Sequence, residues 1–125
     1  MNRRIWLGSV AVAASLALSP AAWAQQAKQD FTLVNKTGYA LSEVYVSPTK
    51  SDDWEEDILG RDVMENGDSV HISFRRAAKS CLWDLKVVYQ DDDSESYWEE
   101  IDLCSVSRIT IMYDRKTDTS TATFD

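Results

Sequence analysis

A chain of 125 residues with 21 acidic and 13 basic side chains carries a formal charge of −8. That balance repels nucleic acid and anionic membrane surfaces and favours cations or basic protein surfaces as partners. His71 is the single histidine, which leaves little scope for zinc ligation by imidazoles or for a Ser-His-Asp triad.

The first residues have the three parts of an export signal. Arg3 and Arg4 give a positive start, residues 5–18 an uncharged, mainly apolar run, and Ala22-Trp23-Ala24 an A-x-A cleavage site. An apolar run of about 14 residues is too short to span a bilayer. The expectation is therefore a signal peptide over 1–24, cleaved after Ala24, and a periplasmic or secreted protein that does not span the membrane. The general secretory route is preferred to the twin-arginine route, although Arg3-Arg4-Ile5-Trp6-Leu7 resembles a loose twin-arginine signal. A flexible segment over 25–30 and one domain over 31–125 complete the organisation. Two arginines leave with the signal, so 11 basic residues then face 21 acidic ones and the charge falls to −10.

Along that domain the hydrophobic pattern has period two, with no helix signal. Phe31 to Val34 reads as a strand, and Asn35-Lys36-Thr37-Gly38 as a turn with Gly38 supplying positive φ. Residues 39–47 form a second strand, ended by Pro48, which lacks an amide donor. Trp54 stands alone in the polar connection 47–57. Residues 58–64 and 69–75 flank Asn66-Gly67, the strongest short hairpin signal. A two-residue turn there sets Val63 opposite Val70, Leu59 opposite Phe74, and Asp62 opposite His71. A short basic connection, Arg75-Arg76 to Lys79, leads to residues 81–90, a strand with Cys81, Trp83, Leu85, Val87 and Tyr89 on one face. After the acidic turn 91–95, residues 96–104 return with Tyr97, Ile101 and Leu103 as the apolar set. Residues 107–113 are a further strand, and the threonine-rich 117–124 a terminal edge strand.

Two cysteines in an oxidising compartment pair. A Cys81–Cys104 bridge, spanning 23 positions, contributes about 3 kcal/mol through loop-closure entropy. An acidic turn centred between Asp92 and Asp93 sets the two cysteines opposite each other, yet the same register puts Leu85 opposite Glu100 and Trp83 opposite Asp102. A β-bulge in one strand, or a disulfide between sheets, reconciles the two. The fold expected is all-β: a small antiparallel β-sandwich of seven to eight strands, with a small closed β-barrel as the alternative.

Functional candidates are few. Asp91, Asp93 and Glu95 are the candidate ligands for Ca²⁺, which takes six to eight oxygens, although the spaced Asp-x-Asp-x-Asp-Gly loop is absent. Trp54 is read as a lid over one end of the core, with binding of a sugar or peptide as the alternative. Residues 31–113 resemble a family of small exported bacterial proteins of uncharacterised function. The pattern runs Phe31, Asn35-x-Thr37-Gly38, Val44-Tyr45-Val46-Ser47-Pro48, Trp54, Asp57-Ile58-Leu59-Gly60, Gly67-x-Ser69-x-x-Ile72-x-Phe74, Cys81-x-x-Asp84-Leu85 and Leu103-Cys104. The resemblance implies a periplasmic or secreted β-domain and marks Trp54 and Asp57 as candidate binding residues, without an activity. The function expected is that of a non-enzymatic, acidic β-domain that binds a protein or cell-envelope partner. The alternatives are a Ca²⁺-binding periplasmic domain and a small secreted inhibitor or accessory subunit presenting the 48–57 loop.

Overall fold

The computed structural model describes residues 27–51, 53–75 and 79–125. The proposed signal peptide and its cleavage site lie outside them. Among the described residues there are seven strands and no helix: β1 (Phe31–Lys36), β2 (Leu41–Pro48), β3 (Ser69–Ile72), β4 (Leu82–Tyr89), β5 (Glu95–Asp102), β6 (Arg108–Asp114) and β7 (Thr119–Phe124). They form two sheets, one of four strands in the order β3-β1-β6-β7 and one of three in the order β2-β4-β5. The sheets stack as a sandwich and do not close into a barrel. All neighbours run antiparallel except β1 and β6, which are parallel.

The core lies between the sheets. Phe31 and Leu33 of β1 and Ile109 and Ile111 of β6 meet Val44, Val46, Trp83, Leu85, Val87 and Ile101 from the other side. Each fully buried aliphatic or aromatic side chain there contributes about 1.5–3 kcal/mol of apolar burial. Residues 27–30 hydrogen-bond to each other and to the rest of the domain. The Gln29 amide donates to the Ser80 carbonyl at 2.9 Å, and the Asp30 carboxylate accepts the amides of Ala27 and Phe74.

The three-stranded sheet contains two register shifts, and both resolve a parity conflict in the sequence. In β2 the shift falls between Leu41 and Glu43. It lets odd-numbered Leu41 share the core face with even-numbered Val44 and Val46, and turns Glu43 and Tyr45 outward. In the β4–β5 pair the shift falls opposite Asp84, between the pairs Trp83–Ile101 and Leu85–Trp98. Glu100, in the bulge, has φ +55°. Asp84 caps it: one carboxylate oxygen accepts the Glu100 amide at 2.9 Å and the Thr49 hydroxyl at 2.8 Å. The bulge reconciles the cysteines with the apolar pattern. Cys81 and Cys104, just beyond the strand ends, form the disulfide with Cα atoms 5.3 Å apart. The pairing of Leu85 with Glu100 and Trp83 with Asp102 does not occur, and Trp98 faces the core while Tyr97 faces solvent.

The 58–64/69–75 hairpin does not form. The Glu65 carbonyl accepts the Asp68 amide, and Gly67 has φ +93° while Asn66 has no positive φ. That is the sense of a type II turn; the I′ turn whose twist suits a two-residue hairpin needs positive φ at both central residues. The chain therefore leaves the turn to pair β3 with β1, setting Val70 opposite Leu33 and Ile72 opposite Phe31. His71 stands beside Thr32, its Nδ1 3.3 Å from the threonine hydroxyl, and not opposite Asp62. Residues 57–64 run along the free edge of β2 instead. Ile58 donates to the Val44 carbonyl, and Leu41 and Met64 exchange two hydrogen bonds at 2.9 Å. An edge covered in this way is not open to another chain.

Candidate functional site

Trp54 does not cap an end of the core. The Ser47 hydroxyl, donating to the Asp53 carbonyl at 2.9 Å, pulls the 48–57 connection back against β2. The indole lies on the solvent face of the three-stranded sheet, half-buried, between Tyr45 of β2 at 6.5 Å and Tyr97 of β5 at 6.1 Å between ring centroids. Lys86 of β4, the central strand, reaches up between them. Its ammonium is 4.5 Å from the Tyr45 centroid and 5.3 Å from that of Trp54, within cation–π range. The rings are tilted to one another by 55° and 39°, so they make no flat platform.

Carboxylates surround the rings. Tyr45 donates its phenolic proton to Glu43, and Tyr97 donates to Glu95. The bond to Glu43, with desolvation and the nearby charges of Glu43, Asp57 and Glu95, raises the Tyr45 pKa to about 12. The bond to Glu95 raises that of Tyr97 as well. Both phenols thus stay neutral donors across the physiological range. Tyr97 is 50% exposed, a large apolar surface left in solvent.

Asp57 organises the backbone beside Trp54. One oxygen of its carboxylate accepts the Val44 amide at 2.8 Å and the Leu59 amide at 3.1 Å. It pins the loop to the β2 edge beside the bulge, and so holds Trp54 in place from three residues away.

Asp91, Asp93 and Glu95 are not brought together. Among the described residues, the one group of three metal-capable side chains with atoms within 4.8 Å of one another is Cys81, Asp102 and Cys104, whose sulfurs are already bonded. Glu95 turns to the Tyr97 face. Asp93 takes φ +60° to make the turn, and its amide donates to the Tyr89 carbonyl. Asp92 accepts the amide and hydroxyl of Ser94, which hold its carboxyl below the usual range.

A second concavity of about 580 Å³ lies between the edges of β2 and β3, floored by Val46, Ile72, Phe74 and Trp83 and rimmed by Glu55, Glu56, His71 and Arg75. A smaller one of about 160 Å³ lies at one end of the sandwich, lined by tyrosines and acids.

Sequence reasoning missed Asn35, read as a turn residue. It is fully buried within β1, and its side chain uses all four of its hydrogen-bonding positions. The amide donates to the carbonyls of Tyr39 and Met64 at 2.8 and 3.0 Å, and the oxygen accepts the Thr37 amide and hydroxyl at 3.0 and 2.7 Å. Its backbone binds the 65–68 turn through Asp68 and Gly67. The Asn-x-Thr-Gly spacing was the available signal, since a short amide two residues before a threonine can close an Asx turn.

No family model matches the chain, and no curated protein matches it. Among solved structures, the NMR structure of a protein from Eubacterium rectale is similar, with a TM-score of 0.53 and 14% identity over 76% of this chain and 85% of that one. At that identity the likeness concerns the fold alone.

Proposed function

We propose that this chain is an exported, non-enzymatic binding domain whose outer β2-β4-β5 face docks a basic segment of a partner protein. The observation that carries the reading is the position of Trp54, held on the solvent face between Tyr45 and Tyr97 with Glu43 and Glu95 beside them. Tryptophan and tyrosine are the residues that most often dominate protein interfaces. Their tilt and the intervening Lys86 disfavour the flat stacking a sugar ring needs. The carboxylates and the formal charge of −8 for the whole chain select a basic partner, mainly through association rate and specificity. The disulfide supports an oxidising compartment. No described helix is long and apolar enough to cross a membrane.

The test is an NMR titration of the disulfide-bonded protein with lysine- and arginine-rich peptides. Basic peptides are expected to shift the Trp54 indole and the Tyr97 amide, and Trp54→Ala to weaken binding at least about tenfold, as for an interface hot spot. Binding of Trp54→Ala at unchanged strength, with an unchanged melting curve, refutes the reading. So does a shift pattern centred on any other face.

A further inference from the structure

Three turns meet at one end of the sandwich: residues 37–40 between β1 and β2, 90–94 between β4 and β5, and 115–118 between β6 and β7. Each brings an aromatic ring or an acid to the same place. The rings of Tyr39, Tyr89 and Tyr113 meet mutually at 5.6–6.4 Å between centroids, two of the three pairs close to edge-on at 79° and 89°. With Asp91, Asp92 and Asp118 they line the pocket of about 160 Å³. No lysine or arginine is among its described lining residues.

Two of the tyrosines, Tyr89 and Tyr113, are held by their tips. Tyr113 donates to Asp118 at 2.6 Å, and the Tyr89 and Ser120 hydroxyl oxygens lie 2.8 Å apart, with Ser120 bonded in turn to Ser96. Fixing these two phenol groups orients their rings before any ligand arrives. The hydrogen bond to Asp118 also keeps Tyr113 neutral, its pKa raised to about 12.

We propose that this pocket binds a small organic cation of the alkylammonium class, such as a trimethylammonium head group. Electron-rich ring faces attract weakly hydrated cations, and the acids at the rim supply the counter-charge. A hard metal ion fits less well. Calcium requires six to eight oxygens, yet no three carboxylates of this pocket bring oxygens within 4.8 Å of one another. Oxygens of Asp92 and Asp118 are already occupied by Ser94 and Tyr113. The pocket is separate from the Trp54 face, so the two assignments stand or fall independently.

The experiment is an amide NMR titration of the disulfide-bonded chain with choline, with its neutral isostere 3,3-dimethylbutan-1-ol, and with calcium. Choline is expected to shift amides of residues 38–40, 90–94 and 116–119 saturably, and the isostere to bind at least about fivefold more weakly, as loss of the cation–π term requires. Asp118→Asn, which keeps a residue tolerant of the left-handed φ of +52° at that position, should weaken choline binding while leaving the melting curve unchanged. Tyr39→Leu should weaken it further. If Tyr39→Leu fails to fold, Asp118→Asn carries the test alone. The proposal is overturned if the isostere binds as well as choline, if calcium saturates the same amides at lower concentration, or if millimolar choline produces no saturable shift.

Discussion

In the three-stranded sheet, β4 and β5 are joined by a short acidic turn and locked at the far end by Cys81–Cys104. In the four-stranded sheet, β1 and β6 lie side by side although about 70 residues separate them in sequence, and no covalent link joins them. The first sheet is held by a disulfide and by bulges that adjust its register. The second is held by a buried polar centre, Asn35, which gathers β1, the 37–39 turn, Met64 and the 65–68 turn. The β4–β5 pair, closed at one end by its turn and at the other by the disulfide, tolerates an irregular register, whereas the long-range pairing of β1 rests on a side chain that satisfies one partner set only.

The sharpest way to break this contrast is Asn35→Ala. Four hydrogen bonds, three of them buried and one part-buried, are lost at about 1 kcal/mol each, so a loss of about 4 kcal/mol is expected in urea unfolding. Asn35→Asp should do no better, because an ionised carboxylate accepts only and would face the carbonyls of Tyr39 and Met64. If both variants melt like the parent, the four-stranded sheet has no such centre.

Removing the disulfide with Cys81→Ser and Cys104→Ser together is expected to cost about 3 kcal/mol. The loss belongs to the three-stranded sheet, so hydrogen exchange should quicken first in β4 and β5. Equal quickening in β1 and β6 would erase the distinction drawn here.

Asp84→Ala uncaps the bulge opposite Glu100 and frees Thr49; a loss of about 2 kcal/mol is expected, with Asp84→Asn milder because its amide oxygen still accepts. A smaller effect tracks pH. Tyr45 and Tyr113 are raised to about 12 in the folded chain, against about 10 when unfolded. Their contribution is complete below the unfolded value and is lost as pH rises through the folded one. Ultraviolet titration of tyrosinate should show both transitions, and Glu43→Ala should lower that of Tyr45 alone. At the bottom of the scale, Asp91→Asn should change stability by less than about 0.5 kcal/mol, since Asp91 is exposed.

The same contrast explains what could be read in the chain. Strands β4 and β5, the intervening turn and the disulfide were legible, and the bulge was one of the two arrangements the parity conflict allowed, because each follows from residues close in sequence. So was the edge strand β7. The pairing of β3 was not, since Asn66-Gly67 signals a hairpin and only the backbone of Asn66 decides the turn type. The parallel β1–β6 ladder was equally out of reach: alternation identifies a strand but not its distant neighbour. For the candidate face, Trp54 was visible as a loop aromatic, yet its partners Tyr45 and Tyr97 were not. The side they point to depends on two bulges, and a one-residue slip exchanges the faces. The Tyr39, Tyr89 and Tyr113 pocket draws on three separate turns and left no spacing to recognise.

The parallel neighbour of β1 also sets a timetable for folding. Among the described strands the first made is an inner one of its sheet, and both strands that flank it are synthesised later, one of them close to the end of the chain. Until residues 108–112 arrive, Phe31, Leu33 and the hydrogen-bonding edge of β1 have no cover on that side. Closing so long a loop must precede the contacts that reward it, so the step is slow. Chains cut short before β6 are accordingly expected to associate through that bare edge, and the intact protein to mature only after its last third is available.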